Sequence, residues 1–386
     1  MPNRITNKNP YVQLILSVLL GALIGLLTYL FVIALQSLNQ AQVNLNLNIP
    51  FHLVLAPLVL VFIILVRRNT LFFPTKVSDL RNESSSHYWS WVMAPIHFVG
   101  PLLSHAAGMS LGREGAVVLF SAGLVRTFKL SWSFWGPVLS CIGFSSVLGN
   151  YWVSPVFMIE MFPITNGVQK ICAFAGSVAA VVAGQHLGMP HLFLPIEFND
   201  NLGFFSKLGL LFILAIIAGY LMRYYKKLHL MLGQQIEKSG ITLRILLSVI
   251  IAGFLYLPEF RSYQSLGLAQ FHDLQLADTS FLAGFVKLAF TVVCTSIGFL
   301  GGEFIPLVFA GVNLGGALFH VLGAESVMGA GFGAFILFAA GTRLKWTSFL
   351  LMAFLLGPSW MLWIFFVLTI SLNFAGEESL YQKFGH

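Results

Sequence analysis

Glu114 and Glu303 are the residues of this chain whose setting could do chemistry. Each stands beside glycines in apolar sequence, in Leu111-Gly112-Arg113-Glu114-Gly115 and, in altered form, in Leu300-Gly301-Gly302-Glu303-Phe304. Each copy ends one hydrophobic segment at glycine and starts another. The free backbone N–H groups of a new helix and an acidic side chain therefore meet, at membrane depth, in the same place. Half-helix N-termini of this kind carry partial positive charge and bind anions, so the pairing points to an ion pathway.

The elements that must position these residues belong to a membrane protein. With 57% hydrophobic residues, 9% charged and 37 Phe, and a mean hydropathy of +0.84, the chain could not cover a soluble globule with polar surface. The net charge of +7 does not imply a nucleic-acid partner. Basic residues scattered through short connections are the usual pattern of cytoplasmic loops. Cys141, Cys172 and Cys294 lie in apolar runs without metal-ligand spacing and read as buried small side chains, with no disulfide framework.

A polar start with Arg4 and Lys8 leads into an apolar run from Tyr11 to Gln36, longer than the core of a signal peptide and therefore a retained first span. The uncharged loop Ser37 to Pro50, against Arg67, Arg68, Lys76 and Arg81 after the second span, predicts a cytoplasmic N-terminus. Arg223, Lys226 and Lys227 mark a later loop as inside; Pro258 to Ser280, with Glu259, Asp273 and Asp278, fits the outside. Long runs are expected near Ile171–Leu187, Leu208–Leu221, Leu243–Tyr256, Leu282–Ile297 and Phe349–Ser371. Those near 90–109, 115–128 and 134–149 are short and interrupted by Gly, Pro or Ser. Short or tilted helices need protein neighbours to cover their ends, so several should be broken or re-entrant.

The two glutamate motifs are also the anchor of a repeat. Phe120-Ser121 answers Phe309-Ala310, and Trp152-Val153-Ser154 with Met158 answers Trp346-Thr347-Ser348 with Met352. Matches at nearly one spacing imply a duplicated unit, although chance likeness among apolar segments is an alternative. The expected halves are about 10–190 and 203–372, joined near 190–205. An odd number of spans per half would make them inverted.

With these residues in view, the chain resembles the CLC family of chloride channels and anion/proton antiporters, roughly from Leu71 to Gly357. Gly108-Met109-Ser110-Leu111-Gly112-Arg113-Glu114-Gly115-Ala116 looks like the family's G-R-E-G-P element with Ala116 in place of Pro; Gly301-Gly302-Glu303-Phe304-Ile305-Pro306 looks like its G-x-F-x-P element. The resemblance implies an all-α integral membrane protein of two inverted halves with tilted, broken and re-entrant helices. It implies a homodimer in a bacterial inner or plasma membrane, surrounded by lipid, that moves a halide and protons without a cofactor. The end at His386 leaves no room for the nucleotide-sensing cytoplasmic domains of many relatives.

The same resemblance assigns roles. Glu114 is the gate: ionised, it competes with the anion for helix N-terminal amides; protonated, it releases them and carries the proton. Capping a first turn is worth only about 0.3–1 kcal/mol, too little to explain a carboxylate at that depth. The amides lie at Gly112, Arg113, Gly115 and Ala116, with Arg113 more a partner than a ligand. Phe304 and Ile305 supply further N–H groups and apolar lining, which suits an anion that must leave as easily as it enters. Glu303 is either a second pathway acid or the N-cap of its helix. Glu160, one position before the family's inner proton-transfer residue, which falls on Met161, is either a relay or a structural acid. His97 and His105 could share a helix face but have no third metal ligand nearby, so hydrogen bonding between helices is the expected role.

Departures bear on which anion moves. The family's G-S-G-I-P element should fall near Phe72-Phe73-Pro74-Thr75-Lys76 and is not recognisable there, leaving Thr75 as a candidate ligand; Tyr381 lies in a polar tail, so the coordinating tyrosine has no evident counterpart. The lost serine and the Gly-Gly-Glu motif resemble the fluoride-exporting branch, but Ile305 stands where that branch has a hydroxyl. Chloride and fluoride both remain open, as does a passive chloride channel beside coupled exchange. A membrane-embedded enzyme would need a nucleophile motif such as G-x-S-x-G or H-E-x-x-H, and the sequence has neither.

Overall fold

A computed structural model describes residues 9–44, 49–69, 76–81, 91–189, 195–197, 202–267 and 279–381. The described residues form helices and no strand. In chain order these are α1 (Pro10–Asn44), α2 (Ile49–Asn69), α3 (Met93–Ala106), α4 (Glu114–Thr127), α5 (Trp132–Leu148), α6 (Val153–Met161) and α7 (Gly167–His186). They continue with α8 (Phe204–Lys238), α9 (Gly240–Tyr256), α10 (Phe281–Ile297), α11 (Phe304–Val321), α12 (Ser326–Thr342), α13 (Lys345–Leu356) and α14 (Met361–Phe374). Among them α1, α7, α8 and α11 contain stretches long and apolar enough to cross a membrane.

The contacts divide the chain into two compact units, one of Met1–Gly108, Arg113–Leu192 and Gly298–Gly302, the other of Met109–Gly112, Phe193–Ile297 and Glu303–His386. Each glutamate motif is thus cut just before its helix: the lead-in Leu111-Gly112 belongs to the second unit while α4 belongs to the first, and Gly301-Gly302 belongs to the first while α11 belongs to the second. Arg113 and Glu303 are the N-caps of α4 and α11, at φ −101° and −107°, so Glu303 takes at its helix start the position that Arg113 takes at the other, and Phe304 the position of Glu114.

In the first unit α1 lies along α7, and α4 packs between α3 and α5. Gly21 and Gly25 of α1 bring its backbone directly onto Gly176 and Ala180 of α7. α7 begins with a full capping box: Gln169 N–H donates to Asn166 Oδ1 and Asn166 N–H to Gln169 Oε1, each at 2.9 Å. In the second unit Gly311 and Gly315 of α11 meet Gly329 and Gly333 of α12 backbone to backbone. Small residues four apart let two helices approach without a hydrophobic driving force, as a lipid environment requires. The most apolar window of α11 is accordingly 89% buried within the protein, against 28% for α8.

Several expected boundaries move. α1 runs on to Asn44, through much of the segment read as a loop. Arg223, Lys226 and Lys227 lie inside α8 rather than in a loop. Lys226 is buried because its ammonium donates to the carbonyls of Ala340 (3.3 Å), Ala375 (2.9 Å) and Glu378 (2.5 Å). The run Phe349–Ser371 is two helices, broken at Gly357, whose φ of 89° is left-handed, and at Pro358, which cannot continue a helix. The expected joint near 190–205 falls partly outside the described residues.

A Cβ at Gly315 would stand 2.7 Å from Gly329 C and 3.1 Å from Gly333 Cα, backbone that cannot give way. Gly315→Val is therefore expected to destabilise the protein by about 1–3 kcal/mol, read as a lower unfolding temperature in detergent.

Candidate functional site

The first half-site is the start of α4. Glu114 is the first helical residue and is fully buried, and Arg113 before it keeps 2% of its surface. The Arg113 N–H donates to Glu114 Oε2 at 3.2 Å, so the carboxylate turns back onto the beginning of its own helix. Its other oxygen, Oε1, lies 3.4 Å from Arg113 Nε, an ion pair without hydrogen-bond geometry, and neither atom has a hydrogen-bond partner among the described residues. An ionised group held this loosely in a buried place is costly and is ready to move or to take a proton. The first helical hydrogen bond of this turn runs from Val117 N–H to Arg113 O, which leaves the amides of Gly115 and Ala116 outside the helical ladder.

What surrounds this start is small. A Cβ on Gly115 would lie 3.0 Å from Gly302 Cα and 3.7 Å from Val77 Cγ2. Val77 opens the short 3-10 helix Val77–Arg81. Thr75, the candidate ligand two residues earlier, lies outside the described residues, as does Phe73. Gly112, expected beside Arg113 and Glu114, belongs with Met109–Leu111 to the second unit. There Ser110 Oγ is 3.2 Å from Thr291 Oγ1, and the Leu111 N–H donates to Ser265 O at 3.3 Å. Ser265 O also accepts from the buried Lys287 ammonium at 2.8 Å, and Lys287 donates to Tyr263 O at 2.9 Å.

The second half-site is the start of α11. Phe304 and Ile305 are buried there, and Pro306, third in the helix, has no N–H to offer, so the N–H groups of this turn outside the helical ladder belong to Phe304 and Ile305. Glu303 occupies the N-cap position but makes no side-chain cap bond, which removes the capping role the sequence left open. Its carboxylate pairs instead with His229 of α8, Oε1 to Nε2, at 2.8 Å. Phe304 meets Phe338 edge to face at 4.6 Å between ring centres, and Phe338 meets Tyr381 likewise at 6.1 Å.

Tyr381 is thus not in a free polar tail. It is buried, because the segment after α14 folds onto the end of α12. Leu380 N–H donates to Gly341 O at 2.9 Å, Ser379 Oγ donates to Thr342 O at 2.6 Å, and Arg343 donates to Gly376 O. The last carbonyls of a buried helix need donors, and the tail supplies them. Sequence reading missed Tyr381, His229 and Lys287. Only the two basic residues carried a signal, as ionisable side chains within apolar segments. Glu160 is half-buried at the end of α6 and Met161 is buried. His97 and His105 are both buried on α3, and no group of three His, Cys, Asp or Glu among the described residues could hold a metal.

With this geometry established, the profile of the family described as "Voltage gated chloride channel" matches residues 73–376, most of the chain. The protein belongs to the voltage-gated chloride channel family. A curated relative from Pseudomonas syringae pv. tomato, "Chloride/fluoride channel protein", is 27% identical over 321 residues, covering 76% of this chain and 69% of that one. The fold is shared with "a CLC-type fluoride/proton antiporter" (TM-score 0.81, 19% identity, 98% of each chain). It is shared equally with "a slow cyanobacterial Cl-/H+ antiporter" (TM-score 0.79, 16% identity, 96% of each chain). Membership of the voltage-gated chloride channel family makes the chain a multi-pass integral membrane protein.

Glu114→Gln keeps the side chain's size and removes its charge and its titration. In liposomes it is expected to abolish anion-driven proton pumping, with anion flux persisting, or blocked as well if the neutral side chain stays in the path. Unaltered coupling between proton and anion would exclude Glu114 from the gate.

Proposed function

We propose that this protein exchanges a halide for protons across the membrane, with Glu114 as the gate and fluoride as the preferred halide. The observation that carries this reading is the Glu114 carboxylate itself, buried at the start of α4 and accepting the Arg113 N–H. Ionised, it fills the place where a helix start would hold an anion. Protonated, it no longer competes for those donors, and as it swings away it carries one proton and frees the Arg113 N–H, beside the Gly115 and Ala116 amides that lie outside the helical ladder. One side chain then serves both ions in alternation, which is what exchange requires. Arg113 is its electrostatic partner. Gly112, Phe304 and Ile305 line the path with backbone donors and apolar surface; Thr75 is the candidate anion ligand, and Glu160, one position before the family's inner proton-transfer residue, is the candidate relay.

Fluoride holds its water more tightly than chloride and needs compact, strong donors. Glu303 suits that need: its carboxylate stands at the start of α11 without capping it, and when protonated it offers a short O–H donor to a small anion. We read Glu303 as the second acid of the path. The Pseudomonas relative is named for both chloride and fluoride, and the two solved antiporters for fluoride and for chloride, so the names support a halide and the preference rests on Glu303. Residues 10–190 and 203–372 are the two copies of a duplicated unit in this reading. The N-terminus is cytoplasmic, by the charge pattern, and the protein works as a homodimer with one pathway per subunit.

Parallel efflux of fluoride and chloride from the same reconstituted liposomes tests the preference. Fluoride efflux is expected to be faster, with proton uptake accompanying it; chloride flux equal or faster would sink the fluoride reading and leave anion transport standing. Mass measurement in detergent is expected to give twice the chain mass. A monomer with full transport would remove the dimer.

A further inference from the structure

The His229–Glu303 pair lies outside the roles so far assigned. His229 sits well inside α8, where its residue surface is 4% exposed, and its Nε2 is 2.8 Å from Glu303 Oε1 and 3.3 Å from Thr295 Oγ1 of α10. The direction of these bonds can be worked out. The Thr295 hydroxyl has one hydrogen and is committed to carbonyls of its own helix, Thr291 O at 2.9 Å or Val292 O at 3.1 Å. Its oxygen therefore accepts, and the carboxylate also accepts, so Nε2 is the donor to both. The proton on Nε2 lies directly between the imidazole and the acid.

Among the described residues, Glu303 is the carboxylate paired with this ring. α8 packs against α9, α10, α11, α12 and α14. α12 and α14 contain no Asp, Glu, Lys, Arg or His. α10 contributes Lys287, which is bound to the Tyr263 and Ser265 carbonyls. α9 contributes Arg244, whose Nε is on Ile236 O, and α11 contributes His320, in its last turn. On α8 itself Lys226 is taken by three carbonyls. Tyr225, one turn from His229 with ring centres 6.2 Å apart, has a buried hydroxyl without a hydrogen-bond partner among the described residues. The exposure is graded: 14% of the Glu303 side chain is accessible, against 5% for His229, so the acid faces the open side and the ring stands behind it.

We propose that His229 is the proton-exchange partner of Glu303, reloading that acid each time it gives up its proton, with Thr295 fixing the ring so that Nε2 points at the carboxylate. The step balances within the pair. The imidazolium N–H bond breaks as the Oε1–H bond forms, an ion pair becomes a neutral imidazole and a neutral acid, and the ring is reprotonated from solvent before the next cycle. Imidazole suits the task because its charge changes in the physiological pH range.

This inference rests on the reading of Glu303 as a pathway acid, and three variants reconstituted in liposomes separate the two. Positioned proton transfer is worth roughly a hundredfold or more in rate, so His229→Gln, which still offers an amide donor to Glu303, is expected to lower the protons moved per halide by about tenfold or more. Thr295→Val, close to isosteric, is expected to lower the same ratio by less, with the ring still present; it decides the matter if His229→Gln does not fold. Glu303→Gln is expected to lower the ratio as far as His229→Gln. A purely structural His229 would leave the ratio unchanged in His229→Gln and Thr295→Val while Glu303→Gln lost it, which overturns this inference alone. An unchanged ratio in Glu303→Gln overturns the reading of Glu303 together with it.

Discussion

A backbone N–H at the start of a buried helix has no partner within that helix and no water to turn to, and leaving it bare costs several kcal/mol in an apolar medium. The two motif helices put this constraint to use. At α4 the Arg113 N–H is answered by the Glu114 side chain. At α11, where Pro306 subtracts one donor, the remaining donors belong to Phe304 and Ile305, and Glu303 turns away from them to His229. A helix start leaves donors that side chains, water or a bound group must satisfy. The capping box of α7, closed by Asn166 and Gln169, is the same chemistry made permanent.

Such starts are useful only if they stay where they are. Both units hold their helices by backbone contact at glycines: Gly21 and Gly25 against α7 in one, Gly311 and Gly315 against α12 in the other. Backbone atoms cannot change rotamer, so these seams are stiffer than contacts between side chains. The tail after α14 adds a second restraint, since Lys226 and Arg343 take carbonyls there that would otherwise be orphaned. That restraint also seats Tyr381 against Phe338, and through Phe338 places an aromatic chain beside Phe304.

Buried charges in this protein fall into two kinds. Lys226 and Lys287 are surrounded by carbonyls of fixed loops and helix ends, a solvation shell supplied by the fold. Arg113–Glu114 and His229–Glu303 are pairs in which a proton or a rotation changes the charge distribution, and both stand at a motif helix start. The first kind holds shape. The second kind is costly to break unless another charge or a proton takes the lost partner's place.

By itself the sequence determined the membrane setting, the family and the short broken segments around Glu114, and it singled out that carboxylate as the candidate gate. Composition, hydrophobic run length and glycine-flanked acids are local properties, and the helix starts at 114 and 304 follow from them. Tertiary structure decided the rest. The motif lead-ins Met109–Gly112 and Gly298–Gly302 pack with the opposite unit from the helices they precede, which no local pattern encodes. Glu303 stands at the N-cap of α11, the position that Arg113 and not Glu114 holds in α4. Whether Glu303 capped its own helix or paired elsewhere depended on a histidine in α8, and Tyr381 became a buried residue only because α12 ends on carbonyls that a distant tail must satisfy. These are contacts between residues far apart in the chain, fixed by which donors and acceptors folding leaves without water.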